Sequence, residues 1–257
     1  MMPESKLQEK YFNIFYKKIY CKFNNNHHYP TVVFEAGLGD TSKTFQSIQD
    51  ELSKNYSTLS YDRVGLGKSK GKMNVKSGLE LLLDYNKLLQ KVPVIPPFIL
   101  VAHSFGTLIS RLFASMNKNP NLIKGIVLID PAVEYKEKHF LNILNNNLKN
   151  EMEQYYKNPE LNSERIDKIK TYQEVTKYKR KFDYPVTVIK RGLPNCYGDK
   201  WLEKDMLELE HKLQYGLNDL SDEFKIITAK RSGHNIHLDQ PELVIKEIKS
   251  LIDKIKS

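Results

Sequence analysis

A serine stands where an apolar segment gives way to a helical pattern, and its neighbours are typical of a nucleophile. Residues 101–107 read VAHSFGT and follow the apolar run PFIL. A strand that turns sharply into a helix at Ser104 would expose Oγ and place the Phe105 N–H at a helix N-terminus, where an oxyanion is stabilised. The usual pattern is G-x-S-x-G; Ala102 replaces the first glycine and is small enough. Alone, the segment is equally compatible with a buried strand-to-helix corner.

A histidine towards the end of the sequence could supply the base that this serine needs. A serine hydroxyl is a weak nucleophile until a base takes its proton and a third group orients that base. His234 follows the last predicted strand, within RSGHNIH, and is the candidate base. His237 is interpreted as packing against or capping the final helix. His103, beside the serine, is interpreted as a structural residue that points into the fold.

The loop FEAGLGD, residues 34–40, is the candidate source of a second oxyanion donor. Such a donor is expected from the loop after an earlier strand, and the Leu38 amide fits that position. The segment is also typical of a tight glycine turn before a helix. Both interpretations can hold together, because the glycines permit the close backbone approach that an oxyanion site requires.

Short, mostly apolar segments alternate with amphipathic helical patterns along most of the chain. A hairpin is predicted at 11–23, with Lys17 and Lys18 at its turn. The other predicted strands are 31–34, 57–61, 98–101, 126–129, 185–189 and 224–228. Buried strands that alternate with helices predict an α/β fold, with a mainly parallel sheet and helices on both faces.

Four polar residues follow strands of this predicted sheet, at the point where each strand ends. They are Glu35, Asp62, Ser104 and Asp130. Parallel sheets bind ligands beyond the carboxyl ends of their strands. The loops at these four positions are therefore expected to form one site.

The alternation stops between about residues 132 and 183. The segments HFLNILNNNLKNEMEQYY and SERIDKIKTYQEVTKY have helical patterns, and no strand is predicted between them. This indicates a helical lid at 133–182, inserted into a core formed by 1–132 and 183–257. Apolar residues of the lid could line its inner face or simply pack: Phe140, Leu141, Leu144, Met152 and Tyr156.

Composition limits the classes of partner. The 257 residues suit one α/β domain, and no apolar run approaches the roughly 20 residues that cross a bilayer. No secretory signal is recognisable, and two cysteines give neither a disulfide framework nor a metal pattern, so a cytoplasmic protein without membrane attachment is expected. The net charge of +9 is compatible with nucleic-acid binding, but the lysines are spread along the chain rather than gathered in one basic segment. Even the densest cluster, 177–181, is interpreted as solvated surface, and no nucleic-acid partner is expected.

Two glycine motifs fail as nucleotide sites. GLGKS, residues 65–69, resembles the end of a P-loop, but the first glycine of that motif would fall at Asp62. Gly37 and Gly39 begin like a dinucleotide fingerprint, whose third glycine would fall at Ser42. No cofactor and no metal are expected.

Five segments together resemble one known family. FEAGLGD, YDRVGLGKS, VAHSFGT, GIVLIDP and SGHNIHLDQPELV occur in the order and spacing of the α/β-hydrolase superfamily, most like its lidded serine-hydrolase branch with E-A-G-L-G and Y-D-R-x-G motifs. The resemblance covers nearly the whole chain except the lid. It implies an eight-stranded sheet, a Ser-acid-His order and oxyanion amides at Leu38 and Phe105. A serine at position 104 speaks against the dehalogenases and epoxide hydrolases of this fold, which attack with a carboxylate.

The acid of the triad has two candidates. The family's commonest position follows the strand 185–189, where the first acid is Asp199, close to the next helix. The alternative position ends the preceding strand and is occupied by Asp130, in LIDPA. Asp130 is preferred, although an aspartate before proline also forms turns readily. Glu35 and Arg63 end strands that the family places side by side, so they are either an ion pair bracing the oxyanion loop or two independent charges.

The predicted activity is a serine hydrolase, a carboxylesterase that cleaves a small or medium hydrophobic ester through an acyl-enzyme on Ser104. The expected partner is a small-molecule acyl substrate, and the expected state is a monomer or homodimer. Thioesterase, lactonase, C–C hydrolase or aminopeptidase chemistry could use the same triad, and fold alone does not choose among them. A non-catalytic ligand-binding protein of this fold is the alternative outside enzymes.

Overall fold

The structure, a computed structural model, describes residues 6–26, 29–144, 146–196 and 200–256. In this part of the chain the strands are β1 (Gln8–Ile14), β2 (Lys17–Asn24), β3 (Thr31–Glu35), β4 (Thr58–Tyr61), β5 (Phe98–His103), β6 (Ile123–Ile129), β7 (Val186–Arg191) and β8 (Phe224–Ala229). They form one eight-stranded sheet in the order β1-β2-β4-β3-β5-β6-β7-β8. β1, β2 and β4 pair antiparallel, and the remaining pairs are parallel.

The central strands are apolar without interruption because both of their faces are covered. Every residue of β3 and β5 is buried. Along β3, Val33 packs into one apolar cluster, whereas Val32 and Phe34 pack into the cluster on the opposite side of the sheet. Alternation of this kind is what a pleated strand imposes when each face has its own core.

Helices cover both faces of the sheet. They are α1 (Gln46–Leu52), α2 (Gly78–Lys91), α3 (Gly106–Met116), α4 (Lys136–Phe140), α5 (Asn146–Lys157), α6 (Lys168–Tyr178), α7 (Lys200–Tyr215), α8 (Ile236–Asp239) and α9 (Pro241–Lys256). α2 and α3 bury their apolar stripes in the first cluster, and α1 and α9 in the second. The predicted α/β fold, an eight-stranded and mainly parallel sheet with helices on both faces, is confirmed. Among the described helices, none has the length and apolarity that a membrane span requires.

Helices α4, α5 and α6 occupy the range predicted as an insertion, between β6 and β7. The helix predicted from residue 163 begins only at Lys168, because the Asp167 side chain accepts a hydrogen bond from the Lys170 amide and caps it. The residues before it form a turn, and Ile166 pairs with Lys76 in an isolated bridge to the core. The turn is therefore an attachment point between the chain that joins β6 to β7, called the inserted segment below, and the sheet.

The first hairpin turns earlier than predicted. Its turn is at Phe15 and Tyr16, and Lys17 already belongs to β2, opposite Ile14. Phe15 has a φ of 52°, in the left-handed region. The Lys17 ammonium lies 2.5 Å from a carboxylate oxygen of Asp84, which is a reason for this lysine to be in the strand rather than at the tip.

Candidate active site

Ser104 lies between β5 and α3 in a strained backbone conformation. Its φ is 50°, a value that L-residues rarely adopt and that costs of order 1–3 kcal/mol. The strand and the helix approach closely here: a Cβ at Gly106 would lie 2.4 Å from the carbonyl oxygen of Ala36 and 2.6 Å from that of Glu35. Ala102 is completely buried within β5. Small residues on both sides of the serine are thus required by packing.

His234 reaches Ser104 from the loop between β8 and α8. Its Nε2 lies 2.9 Å from Ser104 Oγ, and its side chain is 35% exposed. His103 Nε2 lies 3.0 Å from the backbone oxygen of His234, and the two rings pack with centroids 4.6 Å apart. Because a carbonyl oxygen only accepts, His103 must carry its proton on Nε2. The buried histidine before the serine therefore supports the loop that presents His234.

Asp130 completes a chain of three side chains. Its Oδ2 lies 2.6 Å from His234 Nδ1, while Oδ1 accepts a hydrogen bond of 3.0 Å from Gln214 Nε2. Burial alone would raise the pKa of Asp130, but the hydrogen bond and charge of His234, with Arg191 and Gln214, hold it well below its usual value. Asp130 is therefore ionised at neutral pH. The other candidate acid, Asp199, lies outside the described residues.

The two candidate oxyanion amides belong to the loop after β3 and to the residue after Ser104. In the described part of the chain, neither the Leu38 amide nor the Phe105 amide donates to a protein acceptor. Arg63 supports the loop that carries Leu38: its Nη1 donates to the carbonyl oxygen of Ala36 at 2.8 Å and to Glu35 at 2.5 Å. The ion pair between Glu35 and Arg63 that the motifs raised is confirmed.

A second glutamate holds Arg63 and was not found from the sequence. Glu164 is completely buried in the turn before α6, and its Oε2 accepts from Arg63 Nε at 2.8 Å. It comes from the inserted segment and belongs to no motif. In the sequence it is the second residue of the predicted helical pattern SERIDKIKTYQEVTKY, where nothing distinguishes it from a solvent-exposed glutamate.

His237 is a packing residue, as interpreted from its position. It is fully buried in α8, with its ring 4.3 Å from that of His103 and 5.0 Å from that of Phe45. Its Nε2 bonds to Thr44 Oγ1 at 2.6 Å. Burial, followed by the electrostatic effect of His103, lowers its pKa to about 3, although the carboxylate of Asp40 acts in the opposite direction. His237 therefore stays neutral near neutral pH and is not a candidate for the base.

An apolar cavity lies within the inserted segment, away from these residues. Its volume is about 470 Å³, and it is lined by Leu144, Leu148, Glu151, Met152, Gln154, Tyr155 and Leu161. Ser104 and His234 are not among its walls. Phe140, Leu144 and Met152 also pack with Met206 of α7 in a cluster of their own, so Leu144 and Met152 both pack and line this cavity. Among the described residues, no three His, Cys, Asp or Glu side chains come together as a metal site.

Comparison with known proteins identifies the family of this chain. Residues 26–186 match the model of the α/β-hydrolase family described as "Serine aminopeptidase, S33". This chain belongs to that family. The α/β hydrolase is 29% identical over 241 residues to the uncharacterized protein YqjL of Bacillus subtilis (strain 168), an alignment that covers 87% of this chain and 85% of YqjL.

Solved structures show the same fold at lower identity. The Bacillus subtilis carboxylesterase CesB is 14% identical to this α/β hydrolase, with a TM-score of 0.63 over 96% of this chain and 91% of that one. The Cif epoxide hydrolase of Acinetobacter nosocomialis is 17% identical, with a TM-score of 0.67 over 96% and 89%. These neighbours differ in chemistry, so their likeness identifies the fold of this hydrolase and not its substrate.

Proposed function

We propose that this α/β hydrolase is a serine carboxylesterase that acts through an acyl-enzyme on Ser104. The observation that carries the proposal is the distance of 2.9 Å between Ser104 Oγ and His234 Nε2, with Asp130 behind the histidine at 2.6 Å. A nucleophile, a base and a group that orients the base are the three parts of this chemistry.

The reaction proceeds in two halves. Ser104 Oγ attacks the ester carbonyl carbon, and its proton passes to His234 Nε2. The amides of Leu38 and Phe105 stabilise the resulting oxyanion. When the tetrahedral intermediate collapses, the bond to the alkoxy group breaks, and that oxygen takes the proton from His234. A water molecule then gives a proton to His234 and attacks the acyl carbon, and Ser104 leaves with that proton as the acid is released.

Asp130 keeps the histidine in the form that this cycle needs. Its carboxylate accepts the Nδ1 proton, which leaves Nε2 free to accept the proton of Ser104. The same negative charge stabilises the imidazolium that forms after the attack. Because Asp130 is ionised, it can serve both purposes.

The loop after β6 joins the nucleophile to the apolar core. The Ala132 amide donates to the Ser104 carbonyl oxygen at 3.2 Å, which joins this loop to the nucleophile. Val133 and Tyr135 follow directly, and both are half-buried apolar side chains that pack against the main core together with Leu38. The acid that comes next in sequence, Glu134, is occupied by both Nη atoms of Arg111 at 2.8 and 2.7 Å. Glu134 is thus not free to hold the α-ammonium group of an aminopeptidase substrate.

The proposal is tested with p-nitrophenyl esters of increasing acyl length, the wild-type protein and Ser104→Ala. Wild type should turn over the shorter esters and be labelled at Ser104 by a fluorophosphonate. Ser104→Ala should lose roughly 1,000-fold or more in kcat. Thioesters, lactones and aminoacyl p-nitroanilides form the comparison set, and faster turnover of the anilides would favour the aminopeptidase. Absence of both turnover and labelling in wild type would leave the binding-protein alternative.

A further inference from the structure

The peptide groups on both sides of Leu38 are held by buried charges. Arg63 Nη2 donates to the carbonyl oxygen of Gly37 at 2.5 Å, and Glu164 Oε1 accepts from the Gly39 amide at 2.8 Å. The Gly37 carbonyl belongs to the same planar group as the Leu38 N–H, and in a trans peptide the two point in opposite directions. Arg63 therefore fixes the direction of the Leu38 N–H from behind.

Glu164 also holds the arginine that does this. Its Oε1 lies 2.7 Å from Arg63 Nη2 and its Oε2 lies 2.8 Å from Arg63 Nε, a two-point contact with low rotational freedom. Burial alone would raise the pKa of Glu164, but Arg63 and the Gly39 amide hold it below its usual value. A single carboxylate thus restrains both the loop backbone and the side chain behind it.

The turn that carries Glu164 is itself rigid. Asn162 Oδ1 accepts from the Ile166 amide at 2.9 Å, and Asn162 Nδ2 donates to the Ile166 carbonyl at 2.9 Å. Gly39 has a φ of 79°, and a Cβ on it would lie 2.7 Å from Ser163 Oγ. The inserted segment and the loop thus meet closely at Gly39, where a side chain would be strained by the positive φ and would require Ser163 Oγ to move.

We propose that Glu164 is a positioning residue through which the inserted helical segment sets the direction of the Leu38 amide at the oxyanion site. This inference rests on the proposed esterase function. It means that the oxyanion site is completed by a residue outside the sheet domain. Loss of the contacts that Glu164 makes with Arg63 and the Gly39 amide should weaken stabilisation of the tetrahedral intermediate and leave ester binding nearly unchanged.

Glu164→Gln tests this, because it keeps the shape of the side chain and removes the charge that holds Arg63. With a p-nitrophenyl ester, kcat should fall roughly 10- to 100-fold while KM changes less than about threefold; loss of a whole oxyanion donor costs roughly 100- to 1,000-fold. A trifluoromethyl ketone binds by forming an oxyanion on the serine adduct, so its inhibition constant should rise by a similar factor. A purely structural residue would not shift the inhibitor and kcat together.

The matched control is Glu174→Gln. Glu174 lies in α6 of the same inserted segment, is buried, and also joins it to the core: it accepts from Ser77 Oγ at 2.7 Å and from the Leu79 amide at 2.9 Å. This contact is at the start of α2 and does not include the oxyanion loop. Its loss should leave kcat and the inhibition constant within about twofold of wild type.

The outcomes separate the positioning role of Glu164 from the esterase activity on which it rests. Equal losses in the two variants, or an unchanged Glu164→Gln, would overturn the positioning role. If Glu164→Gln does not fold, Glu164→Asp is the second variant. It retains the charge beside Arg63 but is one methylene too short to reach Arg63 and Gly39 together, so its kcat should fall in the same way. An unchanged kcat of Glu164→Asp would also refute the positioning role. Wild-type protein without turnover or labelling at Ser104 would refute the esterase itself, and the inference with it.

Discussion

Asp130 Oδ2 and His234 Nδ1 are 2.6 Å apart, although 104 positions separate the two residues. The contact requires the loop after β8 to extend past β7 towards β6. The backbone of the loop after β7 supports this path, since the amides of Gly192 and Leu193 donate to the Ser232 carbonyl at 3.1 and 3.0 Å. The loop after β7, where the sequence resemblance would most often place the acid, supports the histidine loop through its backbone, and the carboxylate that contacts His234 follows the neighbouring strand β6.

The first prediction concerns this acid. Asp130→Asn should reduce kcat for a p-nitrophenyl ester by roughly 10,000-fold, the order seen when a triad carboxylate is made an amide. An asparagine NH2 facing Nδ1 would favour the tautomer with the proton on Nε2, which cannot accept the proton of Ser104. Steady-state kinetics at neutral pH measure the loss.

Asp199→Asn is the companion variant for this prediction, because Asp199 was the other acid compatible with the sequence. It should retain kcat within a few-fold of wild type. If instead Asp199→Asn is the inactive one and Asp130→Asn remains active, the acid belongs to the later loop and the contact at 2.6 Å is structural.

The fold was predictable because its signal is periodic and local. Uninterrupted apolar strands between amphipathic helices indicate a covered parallel sheet, whatever the details of its loops. Ser104 and His234 were recognisable because each follows a strand within a short motif. The choice between Asp130 and Asp199 needed distances between strands, which the order of residues along a chain does not contain.

The features that the sequence missed depend on long-range contacts. Glu164 touches Arg63 across 101 positions, and no spacing rule links the two. The hairpin turn was misplaced by two residues because Lys17 and Lys18 have the polarity of a turn. In the fold, Lys17 instead pairs with Asp84, and the aromatic residues Phe15 and Tyr16 are left at an exposed tip.

The second prediction concerns Gly106, two residues after Ser104. Gly106→Ala should lower the free energy of unfolding by roughly 1–3 kcal/mol, the usual cost of overpacking, because the new Cβ would meet the backbone oxygens of Glu35 and Ala36. The backbone can relieve the clash only by moving β3 away from α3, so kcat should fall as well. Urea unfolding followed by circular dichroism measures the first effect.

Gly216→Ala is the control for this glycine, since nothing lies within 4 Å of a Cβ at that position. It should unfold at the wild-type denaturant concentration or slightly above, because alanine restricts the unfolded chain more than glycine does. Equal stability of Gly106→Ala and Gly216→Ala would show that the close packing between β3 and α3 is not needed.

The last prediction concerns the buried His237 and the loss of stability at acidic pH. Its pKa falls from 6.5 to about 3 on folding, because burial, reinforced by the charges of His103 and His234, disfavours the imidazolium. Between these values the unfolded chain binds a proton at this site and the folded chain does not. Stability is therefore full above pH 6.5 and declines as the pH falls towards 3, by at most about 1.4 kcal/mol per pH unit from this residue.

His237→Gln should flatten that decline, because glutamine does not titrate and its amide can still bond to Thr44. Urea unfolding at a series of pH values between 7 and about 4 should show a shallower loss of stability in the variant than in wild type. His139→Gln is the control, since it also removes one histidine and His139 is exposed in the folded chain. A pH dependence identical in wild type and His237→Gln would mean that His237 is protonated in the folded protein, against the direction that its burial imposes.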